Sequence, residues 1–262
     1  MATTGIDKLR HLIKVRRPQK LSDPYFDFSE EHLKKLLATP DEEYDGVDYR
    51  LLFGPHLPAG TYSELVYFIP LAFDYFAHPD DHDDIPEMSL ALIGFTADER
   101  ENLERDGLFE PIRQCFQECF ERWTATFTVT HYDKKACTAM GWGLDSYDFV
   151  RGLEFIYDII DTMLKYNLFP EVVSGVIQQL AHNTSDPIKA AWFLAYAAGE
   201  YREDIKASRM FPIKFEPIES VILDHDLLNN AAGLVRRDST LYRMSETYWI
   251  DTFDILGLDD YL

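Results

Sequence analysis

The feature that most restricts the fold is an apolar period of about 3.6 residues that recurs along the chain. Between Glu110 and Trp123, the residues Ile112, Cys115, Phe116, Cys119, Phe120 and Trp123 fall at i, i+3, i+4, i+7, i+8 and i+11, one face of a helix. Thr61 and Glu64 have the spacing of a capping box, and Leu65, Phe68, Ile69, Ala72, Phe73 and Phe76 follow at the same period. A helix over 62–77 is therefore expected, kinked near 66–70 because Pro70 removes a backbone donor. The longest periodic segment, DSYDFVRGLEFIYDIIDTMLKYN, follows an Asp145 cap. It sets Phe149, Val150, Leu153, Ile156, Tyr157, Ile160 and Leu164 on a buried stripe, with Glu154, Asp158 and Asp161 on the opposite, solvated side.

Other segments fill in a mainly helical architecture. Residues 1–20 read as a basic arm or a short helix ending before Pro18, and SEEHLKKLLA as a helix after Ser29 with acids in its first turn. Residues 40–60, rich in Pro and Gly, read as loop. T-A-D-E at Thr96–Glu99 is read as a second capping box, opening a helix that stops at Gly107. TATFTVTHY breaks the helical period, with Thr124, Thr126, Thr128 and Thr130 alternating against Ala125, Phe127 and Val129. With the alternating stretch ACTAMGW it predicts one small antiparallel β-hairpin over about 124–142. Pro170 opens a helix, and Ser185-Asp186-Pro187 caps another that Gly199 closes. Residues 170–199 resemble one HEAT or armadillo helical hairpin, and two or three further helices are expected within 217–250. No linker stands out, so residues 21–262 read as one mainly helical domain.

A content of 46% hydrophobic and 14% aromatic residues is enough for a sizeable core. No segment approaches the roughly 20 apolar residues of a membrane span, and the N-terminal stretch has no secretory apolar region, so a cytoplasmic location is expected. Cys115, Cys119 and Cys137 are odd in number and lie among apolar residues, which marks them as reduced packing residues.

The chain carries a net charge of −21. Residues 1–20 hold six Lys/Arg against one Asp, a net of +5, which leaves −26 on residues 21–262. A field of that sign repels nucleic acid and anionic membrane and draws in basic partners. The motifs of serine hydrolases, P-loop NTPases, dinucleotide-binding folds and CxxC sites are all absent, and no cofactor is implied. The densest chemistry is HPDDHDD at 78–84. His78 and His82 have the i, i+4 spacing of a zinc pair, but Pro79 occupies the position of the catalytic glutamate in metalloproteases. The stretch is read as a solvated acidic loop after the helix; the alternative is a metal-dependent hydrolase holding its ion with His78, His82, Asp81 and Asp84.

Acidic clusters also occupy residues 41–48, 98–110, the Glu154–Asp158–Asp161 stripe and the C-terminal DTFDILGLDDYL. Tyr44, Tyr49, Tyr147, Tyr157 and Tyr261 are interleaved among them. Carboxylates steer and pair with Lys and Arg while aromatic rings anchor, a composition suited to gripping a basic protein. The expected contact residues are Asp80, Asp81, Asp83, Asp84 and Tyr75, then Glu154, Asp158 and Asp161. The stretch LPAGTYSELVYFIPLAFDYF at 57–76, with the size, the acidity and the missing catalytic set, resembles bacterial immunity proteins that neutralise a cognate toxin. The resemblance implies a non-enzymatic inhibitor of a basic toxin, a nuclease being the natural target; a helical scaffold for another basic protein is a further alternative.

Overall fold

The computed structural model describes residues 3–22, 29–53, 60–76, 85–126, 158–201, 216–244 and 246–261. They are mainly helical, and no strand occurs among them. None of the described helices is long and apolar enough to cross a membrane. The chain forms two compact units: Met1–Trp123 with Tyr166–Phe169, and Thr124–Lys165 with Pro170–Leu262. No linker in the sequence marks this division, which is why residues 21–262 read as a single domain.

The first unit contains α1 (Gly5–Leu12), α2 (Glu30–Ala38), α3 (Gly46–Phe53), α4 (Tyr62–Leu65), α5 (Ile69–Phe76), α6 (Ile85–Asp98), α7 (Arg100–Arg105) and most of α8 (Phe109–Thr126). The apolar stripe of α8 is buried as its period demands: Ile112, Cys115, Phe116, Cys119, Phe120 and Trp123 all lie in the core. Phe73 of α5 meets Phe116 edge-on at 5.1 Å between ring centroids, and Phe53 of α3 meets Phe95 of α6 at 5.3 Å. The indole N–H of Trp123 donates to the Phe76 carbonyl at 3.2 Å, satisfying an orphan acceptor at the end of α5. Pro70 acts as its chemistry requires: the path from Thr61 to Phe76 is interrupted by a 3₁₀ turn, Val66–Phe68, between α4 and α5.

The basic N-terminal segment is a docked helix. Leu9 is fully buried, and Gly5 lies so close to α8 that its backbone N–H donates to both carboxylate oxygens of Glu118, at 3.1 and 3.2 Å. The entry to α4 is tied in similarly. Glu64 accepts from the backbone of Thr61 at 2.8 Å and of Ser22 at 3.0 Å, and from the Ser22 hydroxyl at 3.1 Å.

Three local expectations are corrected. Residues 40–60, read as loop, hold a 3₁₀ turn, Asp41–Glu43, and α3, because Tyr49, Leu52 and Phe53 are drawn into the core between the Pro and Gly positions. Thr96 does not cap a new helix; it is buried inside α6 and its hydroxyl donates to the Leu92 carbonyl at 2.7 Å, one turn back. The following helix starts at Arg100, although Gly107, with φ of +71°, does end it. The hairpin read over 124–142 cannot begin at Thr124, because residues 124–126 continue α8; residues 127–142 lie outside the described residues. The buried anchor at Trp123 extends the helix past the point where the alternation of Thr begins.

In the second unit, residues 158–165 are helical, followed by α9 (Pro170–Ala181), α10 (Pro187–Tyr201), α11 (Glu216–Ile222), α12 (His225–Arg237), α13 (Ser239–Met244) and α14 (Glu246–Ile255). Helix α10 is the axis. Its residues 190–198, AAWFLAYAA, are buried on every side, the property of a helix surrounded by others. It packs on α9, α12 and α14, and it runs through Gly199 to Tyr201 instead of stopping there. Helix α12 lays Leu228, Ala231, Ala232 and Val235 into the core at i, i+3, i+4 and i+7. Asp186 caps α10, its Oδ1 accepting from the N–H of Ile188 at 2.9 Å, and Asn230 of α12 donates to the Asn183 carbonyl in the preceding turn at 3.0 Å.

Two outcomes follow. A Cβ at Gly5 would lie 2.7 Å from Cys115 Sγ and 2.8 Å from the Cys115 backbone nitrogen. Gly5→Ala is thus expected to lower stability by about 1–3 kcal/mol in chemical denaturation, since α1 has to shift off α8. Burial works against the Glu64 carboxylate, but the backbone hydrogen bonds from Thr61 and Ser22 outweigh it and hold its pKa below the usual 4.5. Its contribution to stability is complete above that value and is lost as pH falls through the lower folded-state value. Glu64→Gln should therefore lower stability at neutral pH and change it least at low pH, where the wild-type carboxylate is protonated, so that the acid side of a stability-versus-pH curve is flatter.

Candidate functional site

The acidic clusters differ in how the fold uses them. In 98–110 Glu104, Asp106 and Glu110 are matched by arginines within the chain. Arg100 pairs with Glu104 at 3.2 Å, Arg105 with Asp106 at 2.9 Å, and Arg113 with Glu110, each pair local and solvent-exposed on at least one side. These contacts contribute little stability individually, yet they cancel charge where they stand.

In 41–48 the pattern is different. Asp41 opens a 3₁₀ turn, Asp41–Glu43, and is engaged by Arg17 at 3.2 Å and by the Tyr67 hydroxyl, which donates at 2.5 Å. Arg17 also donates to the Thr39 carbonyl and to Tyr44 Oη, the latter at 2.8 Å, and its guanidinium lies 5.5 Å from the Tyr44 ring centre. The buried Tyr44 hydroxyl in turn donates a hydrogen bond to the Leu36 carbonyl at 2.9 Å. Burial opposes the Arg17 charge, but Tyr44 and Asp41 more than compensate and raise its pKa. Desolvation and the bond to Asp41 together push Tyr67 up to about 12.

Beyond this anchored base, Asp45 and Asp48 exchange backbone hydrogen bonds at 3.0 and 3.3 Å and so start α3. Glu42, Glu43 and Asp45 are exposed, and among the described residues no Lys or Arg pairs with them. Val47, 48% exposed, sits in the same short segment. Desolvation, reinforced by the charge of Asp45, raises the pKa of Asp48 despite its backbone hydrogen bond. The result is an exposed apolar side chain in the first turn of α3, following carboxylates that no Lys or Arg of the described residues neutralises and a turn that Arg17 braces.

The residues expected from sequence are dispersed. Asp80, Asp81, Asp83, Asp84, His78, His82 and Glu154 lie outside the described residues, as do Cys137, Tyr147 and Tyr157. Tyr75 is half-buried at the end of α5, its ring 5.3 Å from that of Tyr49. Asp158 is exposed, with desolvation raising its pKa, whereas Asp161 is half-buried and so departs from the solvated stripe expected of it. Tyr44 and Tyr49 are core residues and present no ring to a partner. Cys115 and Cys119 are buried and free, and burial pushes the Cys119 thiol up to about 12, as inert packing requires. No group of three His, Cys, Asp or Glu that could hold a metal ion occurs among the described residues. The Arg17 hub was not legible, because a basic run such as VRRPQK carries no sign of which cation turns inward.

Comparison with protein-family models, curated proteins and solved structures gave no match.

Arg17→Met should test the brace: with Asp41 left without its charge partner and the Thr39 carbonyl and Tyr44 Oη without their donor, stability is expected to drop by about 1–3 kcal/mol in urea unfolding.

Proposed function

We propose that this chain is a non-enzymatic inhibitor, cytosolic in a bacterium, that binds a basic cognate toxin and occludes its active site. A nuclease is the toxin class whose polyanion-binding cleft best suits such an inhibitor. The observation that supports this reading is the contrast between the two acidic segments: at 98–110 Glu104, Asp106 and Glu110 are each paired with an arginine of the same chain, while among the described residues Glu42, Glu43 and Asp45 have no Lys or Arg partner and lie on, or just after, a turn fixed by Arg17, shortly before the exposed Val47. Exposed carboxylates around an apolar contact provide both steering and a desolvated anchor for a Lys/Arg-rich face. The net charge of −21 supplies the long-range attraction. The aspartates at 80, 81, 83 and 84 enter the proposal from the sequence alone, as a second acidic element of the same kind.

Pull-down from the native host should recover a basic protein, and expressing this chain should rescue cells from that protein's toxicity; recovery of no protein partner would end the reading. With a partner in hand, association should slow as salt rises, because the Debye length falls from about 10 Å at 0.1 M to about 3 Å at 1 M. Reversing Glu42 and Glu43 to Lys, or Asp80, Asp81, Asp83 and Asp84 to Lys, should slow association by about tenfold in stopped-flow measurements, with the circular dichroism spectrum unchanged. Unaltered rates with both sets reversed would place the interface elsewhere.

A further inference from the structure

On the second unit, the outer face of α12 and the C-terminal 3₁₀ turn, Asp259–Tyr261, enclose a shallow cavity of about 450 Å³ lined by Asn229, Asn230, Gly233, Arg236, Arg237 and Tyr261. Its volume falls in the range of small-molecule sites. We propose that this cavity binds the oxyanion group, phosphate or carboxylate, of a small molecule. The proposal is independent of the toxin-inhibitor reading.

The argument starts from the two arginines. In a chain with 46 Asp and Glu against 25 Lys and Arg, an arginine has carboxylates available on most sides. Yet among the described residues neither Arg236 nor Arg237 has an acidic partner. Asp238, the next residue, is committed elsewhere: its Oδ1 accepts the backbone N–H groups of Thr240 and Leu241, both at 3.0 Å, and so caps α13.

Both guanidiniums are nevertheless held in place. Arg237 Nε donates to the Gly233 carbonyl at 2.7 Å, which leaves its two Nη groups to present a fork. Arg236 lies over the Tyr242 ring at 4.0 Å, fixed by its face, while its N–H edge makes no hydrogen bond with the described residues. A planar, pre-positioned fork is what recognises carboxylate and phosphate bidentately.

Gly233 forms the floor. A Cβ there would meet Tyr261 Oη at 3.5 Å and Arg237 Nη2 at 3.6 Å, so these two polar atoms converge on the space that the missing side chain leaves. The Tyr261 hydroxyl donates to the Asn229 carbonyl at 3.0 Å, and its oxygen keeps acceptor capacity for a ligand hydroxyl. The Asn229 carboxamide makes no hydrogen bond with the described residues and supplies a further donor. The exposed Asp259 and Asp260 beside Tyr261 oppose an anion, as does the overall charge. Charges beyond about 8 Å are screened at physiological ionic strength, so saturable anion binding by this acidic chain would report local donors.

The test is calorimetric titration of the full chain with inorganic phosphate and, separately, citrate, at physiological ionic strength. Saturable binding of at least one is expected, and the tighter of the two identifies the oxyanion. Arg237→Gln should weaken it about tenfold or more, the loss of a charged hydrogen-bonding pair. Arg237→Lys keeps the charge but not the fork and should also weaken it. Gly233→Leu fills the floor without altering charge and should abolish binding, with each variant's thermal unfolding midpoint recorded to show that it folds. Absence of saturable binding to both anions, or undiminished binding in folded Arg237→Gln and Gly233→Leu, would overturn the proposal.

Discussion

The interaction on which the rest of this structure depends is the hydrogen bond from a backbone N–H at a helix start to a carboxylate. With 46 Asp and Glu against 25 Lys and Arg, at least 21 carboxylates have no Lys or Arg available to them within the chain. Helix N-termini absorb part of that excess, because each exposes several unpaired N–H groups and a positive dipole end. Asp7 serves α1, Asp45 and Asp48 serve α3, Glu64 serves α4, Asp186 serves α10, Asp224 serves α12 and Asp238 serves α13. A protein cut into many short helices offers many such sites, so the acidic composition and the segmented helical fold support one another. Cations are then left for particular tasks. Arg17 braces the turn at 41–44 and Arg10 joins α1 to Asp74 of α5, while among the described residues Arg236 and Arg237 have no acidic partner.

How far the sequence reveals this depends on whether a signal is local. The stripe on α8, the break at Pro70, the cap at Ser29 and the Asp186-Pro187 start all rest on residues within one or two turns of each other, and each appears in the structure where the pattern places it. Thr96 shows the limit of a four-residue motif. The spacing T-A-D-E describes a capping box equally well when the preceding residues are already helical, and there the threonine bonds backwards to Leu92. Thr124 to Thr126 fail as strand for a non-local reason, since the Trp123 indole reaches Phe76, forty-seven positions away, and fixes the helix through that point. For the candidate sites, the acidity of 41–48 was visible from composition, but its division into a bonded Asp41 and uncancelled Glu42, Glu43 and Asp45 depends on Arg17, more than twenty residues upstream. The buried positions of Tyr44 and Tyr49 likewise follow from packing with Phe68 and Tyr75, which no local pattern encodes.

The carboxylate caps also have a meaning for how such a chain changes over generations. Asn and Ser cap a helix about as well as Asp, so at Asp186, Asp224 and Asp238 the fold asks for a side-chain oxygen and is indifferent to the charge it bears. Nothing in the architecture therefore opposes a drift toward neutrality at these positions, nor at the uncapped Glu42 and Glu43, whose side chains hold no element in place. Net charge and fold are separable inheritances here. A lineage released from whatever the acidity serves could shed much of it by single neutral exchanges while keeping every helix, and a lineage that retains it does so under a pressure coming from outside the folded chain.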